Sequence, residues 1–331
     1  MTKLIDLKKR DSKLIEECAE AIKDGKLVVL PTETVYGIGA NALDVKAVRR
    51  IFEIKKRNKN NPLIVLVSDF DMLDKIAYGI TDIHQKLIDK FWPGPLTIIF
   101  NRKNSLPDDV TGNLDTIGVR IPGNEIVLDI IRKAKVPITA PSANFSGKLS
   151  IIDPKLAYQE FNGKVDFIVD GGISDIGVES TIVKVDGNVI YILRRGKILP
   201  EDIEKLGFSV RLSDNIPSKG NKHYSIGKKA ILVTGSNSID KITNYIDNHS
   251  SQKIGVIGFD EHYTLFTEKV NVYIKMGSVY HYDAILKNLF NTLNEAKEAD
   301  NDVFLIECLE EHGIGKLVMD KFRAICDNEI I

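Results

Sequence analysis

The sequence is poor in the features that mark secreted, metal-stapled and membrane-spanning proteins. Its 331 residues include three cysteines, which lie far apart and form no CxxC pair. That scarcity argues against a disulfide scaffold or a zinc site and fits a reducing cytosol. The N-terminus has no apolar signal core, and no apolar run approaches the roughly 20 residues that span a bilayer. These absences predict a cytoplasmic protein.

A strong net charge is absent as well. Lysines and arginines number 45 against 46 aspartates and glutamates, which leaves a formal charge of -1. Bulk charge therefore offers no argument for binding to nucleic acid or to a membrane, and any anion site must be a local cluster. What remains is an ordinary globular composition, 43% hydrophobic and 27% charged, in a chain whose length suggests two domains.

The chain is organised around a polar loop that follows an apolar run. Residues 26–30 predict a short buried strand, which Pro31 ends. Residues 32–36 carry hydroxyl groups and one carboxylate, and Gly37 with Gly39 predicts a tight turn before the next helix. Open α/β sheets bind ligands at this edge of a strand. For this stretch taken alone, an ordinary strand-to-helix turn is the simpler interpretation.

A second loop of the same kind comes later in the chain. The predicted strand at residues 136–139 runs into residues 140–150, which again hold a proline followed by hydroxyl and amide side chains. We expect the two loops to converge on one polar ligand. Between them, residues 55–59 place four cations at the end of a predicted helix. The simplest interpretation of that stretch is a solvated basic turn that complements the helix dipole.

An arginine lies on a predicted central strand. Residues 116–122 alternate so that Thr116, Gly118 and Arg120 share one face. Burying an unpaired charge is expensive, so Arg120 needs a carboxylate. Either the protein or a ligand can supply that group, and the sequence favours neither.

A change in pattern divides the chain. Periodicity is lost from about residue 210 to residue 227, where the polar and flexible composition predicts a linker. A new alternation of strands and helices follows it. We therefore predict a first domain at residues 1–209, a linker at residues 210–227 and a smaller doubly wound α/β domain at residues 228–331.

Seven segments of the chain together resemble the threonylcarbamoyl-AMP synthase family, the YrdC-like proteins, in its longer two-domain form. In chain order they are PTETVYGIGANAL, IKKRNKNNPLIV, FWPGPLTII, LDTIGVRIP, PITAPSANFSGKLS, DGGISDIGVESTIV and ILRRG. The resemblance covers residues from about 12 to 200 and the linker, and the final domain resembles its counterpart best at residues 312–315. It implies an α/β fold with a YrdC-like twisted mixed sheet and flanking helices, plus a smaller C-terminal Rossmann-like α/β domain.

The resemblance implies a reaction. L-threonine, bicarbonate or CO2, and ATP give threonylcarbamoyl-AMP and pyrophosphate. A partner transferase then uses the product to modify the adenosine just 3′ of the anticodon in tRNA. No His/Asp/Ser triad or metal-ligand cluster stands out among the seven segments, so we infer that the site has no distinct catalytic residue and works as a template. General phosphoryl-transfer chemistry suggests Mg²⁺, but no carboxylate stands out as its ligand.

The resemblance also implies the residues that bind each substrate. For ATP they are Lys55, Arg57, Asn61, Thr116, Ser142, Ser150, Arg194 and Tyr224. For L-threonine they are Thr34, Tyr36, Arg120, the Ala140 backbone and Ser180. Arginine suits the triphosphate because its donors form a planar fork, and a threonine carboxylate would answer the need of Arg120 for a partner.

Two features of the resemblance bear on how the site closes and selects. The linker residues Lys222, His223 and Tyr224 are expected to fold over the nucleotide as a lid that excludes water. Leu66 stands where the family usually has a histidine. This departure puts one polar contact to threonine in question, so selectivity could be looser.

Two other functions compete with the synthase. One is a module that binds double-stranded RNA or tRNA without turnover, because residues 55–59 could serve RNA as well as ATP. Against it, the net charge is near zero and no aromatic and basic stripe accompanies the cluster. The other is a carbamoyl-transfer or maturation domain that acts on another protein.

Overall fold

The computed structural model describes residues 1–213 and 225–331, which fall into two units. Of the described residues, the first unit comprises 1–146 and 150–213, and the second comprises 147–149 and 225–331. Within the described ranges, no helix combines the length and apolar character that crossing a membrane requires.

The first unit is built on a mixed sheet. Its strands are β1 (Lys3–Asp6), β2 (Val28–Leu30), β3 (Gly37–Asn41), β4 (Val65–Leu66), β5 (Ala77–Tyr78), β6 (Leu96–Arg102), β7 (Thr116–Arg120), β8 (Ile138–Thr139), β9 (Phe167–Asp170), β10 (Thr181–Asp186), β11 (Val189–Arg194) and β12 (Ser209–Leu212). Their order across the sheet is β1-β9-β2-β3-β8-β4-β7-β6-β10-β11-β12, with β5 paired to β6. The sheet contains both parallel pairs, such as β1 with β9, and antiparallel pairs, such as β6 with β7.

Helices flank this sheet. They are α1 (Ser12–Lys23), α2 (Val45–Lys55), α3 (Phe70–Ile76), α4 (Asp82–Phe91), α5 (Asp108–Thr111), α6 (Glu125–Ala134), α7 (Pro154–Phe161) and α8 (Pro200–Glu204). Asp44 begins α2, since its side chain accepts hydrogen bonds from the Lys46 and Ala47 amides, and such a cap stabilises a helix by about 1 kcal/mol. The predicted mixed sheet with flanking helices is confirmed.

The stretch after the Pro31 loop departs from the predicted tight turn. Residues Gly37–Asn41 form β3, which is antiparallel to β2 and to β8. Glycine disfavours strands in general, but this pairing needs it. A Cβ at Gly39 would lie 2.6 Å from Leu30 Cδ1, so only a residue without a side chain fits against β2 at that point.

A second departure lies near the predicted start of the linker. Residues Ser209–Leu212 form β12, which pairs in parallel with β11, and Val210 packs against the buried apolar cluster of the first unit. The sheet therefore extends through residues that the loss of periodicity had assigned to the linker. The short and mostly exposed strand lacks the clear alternation by which it could have been predicted.

The second unit is a separate parallel α/β layer. Its strands are β13 (Lys229–Val233), β14 (Ile254–Phe259), β15 (Val272–Gly277) and β16 (Val303–Glu307), in the order β13-β16-β14-β15. Its helices are α9 (Ser238–Asn248), α10 (Tyr263–Phe266), α11 (Tyr282–Glu298) and α12 (Gly313–Ile325), with a 3-10 turn at Asp260–His262. Parallel strands are buried on both faces and read as apolar runs. The predicted smaller Rossmann-like α/β layer is confirmed.

Candidate functional site

Two proline-containing loops of the first unit meet, as the sequence predicts. They are the 31–37 loop and the 140–146 loop, named here by their residue numbers. Gly37 forms an isolated β-bridge with Ser142, and the Ile38 amide donates to the Pro141 carbonyl at 2.9 Å. A Cβ at Gly37 would lie 3.3 Å from Ala140 Cβ. The glycine therefore permits the close approach that brings the two loops together.

A directed chain of hydrogen bonds fixes the hydroxyl groups of the 31–37 loop. Arg120 Nη1 donates to Thr34 Oγ1 at 3.0 Å, Thr34 Oγ1 lies 2.7 Å from Thr32 Oγ1, and Thr32 Oγ1 donates to the Val35 carbonyl at 2.6 Å. A guanidinium only donates and a carbonyl only accepts. Thr34 must therefore donate to Thr32, which leaves its oxygen able to accept one further hydrogen bond.

Arg120 stands beside a carboxylate of the same loop. It ends β7 with a side chain that is 6% exposed, and its Nη2 lies 3.9 Å from Glu33 Oε2. That separation is an ion pair but is too long for a hydrogen bond. The sequence left open whether the protein or a ligand supplies the carboxylate that Arg120 needs. The protein supplies Glu33 as a counter-charge, but Glu33 does not form a hydrogen bond with Arg120.

Leu66 is a neighbour of Arg120 on the sheet. The two residues are opposite each other in the parallel register of β4 and β7, and the Leu66 side chain is buried. The apolar residue that stands in place of the family's usual histidine therefore lies next to the arginine predicted to bind threonine. How this departure affects selectivity stays a prediction.

A third segment, residues 178–181, positions Ser180 against Arg194. Arg194 Nη2 donates to Ser180 Oγ at 2.9 Å, and its Nε donates to the Ser180 carbonyl at 3.0 Å. Thr97 Oγ1 lies 2.8 Å from Ser180 Oγ. Gly196 makes this geometry possible, since a Cβ there would lie 2.6 Å from the Ser180 carbonyl carbon.

Three cationic side chains influence one another in the first unit, and we call Lys55, Arg57 and Arg194 the cation cluster. Burial and repulsion from Arg194 lower the pKa of Arg57 to about 10. Burial and repulsion from Arg57 hold the pKa of Lys55 well below its ordinary value. Cations that destabilise one another at close range favour a bound anion.

Lys55 also holds the second loop. Its side chain is 2% exposed, and its Nζ donates to the carbonyls of Ser142 and Asn144. In the structure, this predicted ATP residue therefore acts on the 140–146 loop. Arg57 donates to the carbonyls of Asn61 and Pro62, at 3.3 and 3.0 Å, so backbone carbonyls orient the guanidinium.

The other predicted residues have the following places. Ser142 Oγ donates to Asn144 Oδ1 at 2.6 Å, and the buried Ser150 Oγ donates to Glu179 Oε1 at 2.6 Å. The Ala140 amide donates to the Ile64 carbonyl at 3.2 Å. The half-buried Thr116 pairs with Asn101 at the start of β7. Tyr224 lies outside the described residues. The individual binding roles stay predictions.

Tyr36 is buried, unlike a residue that lines an open pocket. Its ring is fully buried, and its hydroxyl donates to the Gly172 carbonyl at 2.7 Å and accepts from the Gly171 amide at 3.2 Å. Burial raises the pKa of this phenol above its ordinary value. Both capacities of the hydroxyl serve residues 171–172, so Tyr36 can shape the 31–37 loop through packing.

Three polar residues of this region escaped the sequence interpretation. Thr97 contacts Ser180, Glu179 accepts from Ser150, and Glu33 faces Arg120. The only available signal was a polar residue inside an otherwise apolar strand for Thr97, and a lone carboxylate among hydroxyls for Glu33. Among residues 1–213 and 225–331, no three His, Cys, Asp or Glu side chains converge in a way that could hold a metal ion.

Family comparisons match both units. A family model described as Telomere recombination matches residues 20–196. A second, described as Threonylcarbamoyl-AMP synthase, C-terminal domain, matches residues 198–324. Together the two matches extend over most of the chain.

Known proteins are similar over the full length. The threonylcarbamoyl-AMP synthase of Pyrococcus abyssi is 36% identical, over 100% of this chain and 99% of that protein. The enzyme of the same name from Bacillus subtilis is 30% identical, over 96% of this chain and 94% of that protein. A crystal structure of P. abyssi Sua5 complexed with L-threonine matches with a TM-score of 0.89, over 100% of this chain and 99% of that one.

Proposed function

This chain belongs to the threonylcarbamoyl-AMP synthase family, and from that premise we propose that the cation cluster binds ATP beside a threonine site at Arg120. The enzyme makes L-threonylcarbamoyladenylate from L-threonine, bicarbonate or CO2, and ATP, and it releases pyrophosphate. The product serves the threonylcarbamoyl modification of the tRNA adenosine next to the anticodon. The relatives support this function and lend no support to an RNA-binding module without turnover.

One observation carries the assignment of the two subsites. Arg194, proposed for ATP, makes two hydrogen bonds to Ser180, proposed for threonine. A nucleotide held by Arg194 would therefore lie next to an amino acid held by Ser180. The reaction requires that proximity, because the carbamate formed from threonine must meet the α-phosphate of ATP.

The second subsite rests on Arg120 and Thr34. Arg120 would receive the threonine carboxylate, as a guanidinium fork matches a carboxylate. Thr34 Oγ1, which donates to Thr32 and accepts from Arg120, would accept a hydrogen bond from the threonine hydroxyl or amine. The P. abyssi relative crystallised with L-threonine supports a threonine site of this kind.

The proposed chemistry is positioning. The side chains would hold the carbamate in line with the α-phosphate, and well-oriented reactants can save roughly 7–11 kcal/mol of a barrier. The cation cluster would stabilise the charge that develops on the leaving pyrophosphate. Within the described ranges no three His, Cys, Asp or Glu side chains converge as a metal site, and Mg²⁺ held mainly by the phosphates of ATP would need no such set. We assign no step to that ion.

Several finer points of the function are part of the proposal. A tRNA-modifying threonylcarbamoyl transferase would take up the product, and weak RNA binding near residues 55–59 would accompany that hand-over. A cytoplasmic location follows from the need for ATP and tRNA. The lid of Lys222, His223 and Tyr224 lies outside the described residues, and it stays a prediction from the sequence.

A direct assay tests the proposed function. The protein is mixed with ATP, bicarbonate and L-threonine, and pyrophosphate release is compared with a reaction that omits threonine. Release that depends on threonine is the expected result. Salt-sensitive retention of RNA without any turnover would instead support the RNA-binding module.

A further inference from the structure

Unsatisfied polar atoms concentrate at one point of the first unit. Among the described residues, four buried side-chain atoms have no hydrogen-bond partner: both carboxylate oxygens of Glu33, Arg120 Nε and Ser174 Oγ. Three of these four belong to Glu33 and Arg120, whose side chains are 9% and 6% exposed and whose Oε2 and Nη2 atoms lie 3.9 Å apart. The exception to normal hydrogen bonding is therefore local.

Such an arrangement costs free energy in the protein alone. A buried carboxylate usually accepts several hydrogen bonds, and leaving one without any is destabilising. Nearby donors are directed elsewhere, since Arg120 Nη1 donates to Thr34 and Thr32 donates to Val35, and Arg120 Nε does not reach Glu33. The described chain thus brings Glu33 into the interior without supplying the donors that would satisfy it.

The charges of Glu33 and Arg120 indicate which kind of ligand would suit both side chains. Glu33 needs a donor that is preferably cationic, but a free divalent ion would be repelled by the guanidinium of Arg120. An α-amino acid avoids this conflict, because it carries an ammonium for Glu33 and a carboxylate for Arg120 on the same carbon. The 3.9 Å separation between Glu33 Oε2 and Arg120 Nη2 suits two groups that are so close together.

We propose that Glu33 binds the ammonium group of L-threonine while Arg120 binds its carboxylate. This assignment rests on the proposed function and adds a residue to it. Glu33 would then select amino acids over hydroxy acids, because a ligand without the ammonium leaves the buried carboxylate unsatisfied. It would also fix the orientation of that nitrogen in the site.

The simpler alternative is a structural ion pair. In that case Glu33 stabilises the fold through Arg120, and its loss lowers stability. The two interpretations predict different effects of replacing Glu33 on the stability of the unliganded protein. A carboxylate whose hydrogen-bond donors come with the ligand destabilises the free protein; a neutral isostere removes that cost but leaves Arg120 without its counter-charge, so the free energy of unfolding should stay about the same.

The test uses Glu33→Gln in the full chain, with Glu125→Gln as a control that removes one exposed negative charge from the same unit. Calorimetry measures the affinities for L-threonine, for 3-hydroxybutyrate, which lacks the ammonium, and for an ATP analogue. Denaturation measures the unliganded protein. We expect Glu33→Gln to lose about 10- to 100-fold in threonine affinity, as when a charged hydrogen bond is removed.

The same variant should bind the ATP analogue within about twofold of the parent, unfold at about the same midpoint, and discriminate less between threonine and 3-hydroxybutyrate. Glu125→Gln should match the parent. Unchanged threonine affinity in Glu33→Gln, or a protein that unfolds much earlier or fails to fold, would overturn the assignment. A parent protein without threonine-dependent pyrophosphate release would instead overturn the proposed function itself.

Discussion

Two buried glutamates, one in each unit, are treated in opposite ways. Glu307 ends β16 with 1% of its surface exposed, yet one oxygen accepts from the Phe259 amide at 2.9 Å and the other lies 3.0 Å from His262 Nδ1. Glu33 is almost as deeply buried and has no hydrogen bond. The second unit supplies hydrogen-bond partners for the Glu307 carboxylate, whereas the described residues of the first unit supply none for the Glu33 carboxylate.

The difference separates a structural group from a binding group. Burial raises the pKa of Glu307, and the Phe259 amide and His262 act against that shift. Its interactions are complete without any ligand. In the first unit, by contrast, Glu33 has no hydrogen-bond donor among the described residues. Incomplete interactions in a folded protein indicate where a ligand contributes binding energy.

The largest effect should come from Arg120→Ala. Removing this buried guanidinium eliminates the proposed contact to the threonine carboxylate and leaves Glu33 without its counter-charge, so we expect threonine affinity to fall by a factor of about 100 or more. ATP affinity should be largely retained. Calorimetry with both ligands measures this, with the half-exposed Arg132→Ala as control. Normal threonine affinity in the variant would remove Arg120 from the site.

A smaller effect is expected for Arg194→Ala. The variant lacks a donor fork that we assign to the ATP phosphates, so affinity for an ATP analogue should fall about 10- to 100-fold. Its dependence on salt should also weaken. Titrations at two ionic strengths measure both quantities, with Arg49→Ala, an exposed arginine paired to Asp109, as control. An ATP affinity equal to that of the parent would contradict the assignment.

The satisfied glutamate should respond through stability. Glu307→Ala leaves the Phe259 amide and His262 without their acceptor, which should destabilise the second unit by about 1–3 kcal/mol. Denaturation followed by hydrogen exchange at β14 and β16 locates the loss. Threonine affinity should not change. If Glu307→Ala were as stable as the parent while Glu33→Gln were not, the proposed distinction between the two glutamates would be reversed.

The smallest effect tests a satisfied group in the first unit. The Thr81 amide donates to His84 Nδ1 at 3.2 Å, so this ring nitrogen must be unprotonated. Burial lowers the pKa of His84 below its ordinary value of 6.5. Neutral His84 therefore stabilises the folded protein fully above about pH 6.5, and this stabilisation is lost as the pH falls through the lower folded-state pKa.

The comparison variant for this prediction is His84→Gln, because glutamine can accept the same amide bond without titrating. Between pH 7 and pH 5 the parent should lose on the order of 0.5 kcal/mol more stability than the variant. Chemical denaturation at the two pH values measures the difference. Equal pH dependence of the two proteins would exclude His84 as the titrating group.

Much of the fold was predictable because its signals are local. Helix α2 has such signals in the Asp44 cap and the apolar stripe that follows it, and β16 has one in its uninterrupted apolar run at residues 303–306. Strand β3 was mispredicted because two glycines indicate a turn. Only tertiary contacts explain their presence in a strand, since Gly37 lies against Ala140 and Gly39 against Leu30. The marginal alternation of β12 likewise became a strand only by pairing with β11.

By itself, the sequence determined the two-domain α/β organisation, the polar loops and the family resemblance, since these depend on residue order and spacing. Tertiary structure alone decided which distant side chains meet. In the folded protein Arg194 donates to Ser180, and Lys55 donates to carbonyls of the 140–146 loop. Glu33 lies beside Arg120 without hydrogen bonds. The physical reason is that burial and partner satisfaction are properties of packing, and no local pattern encodes them.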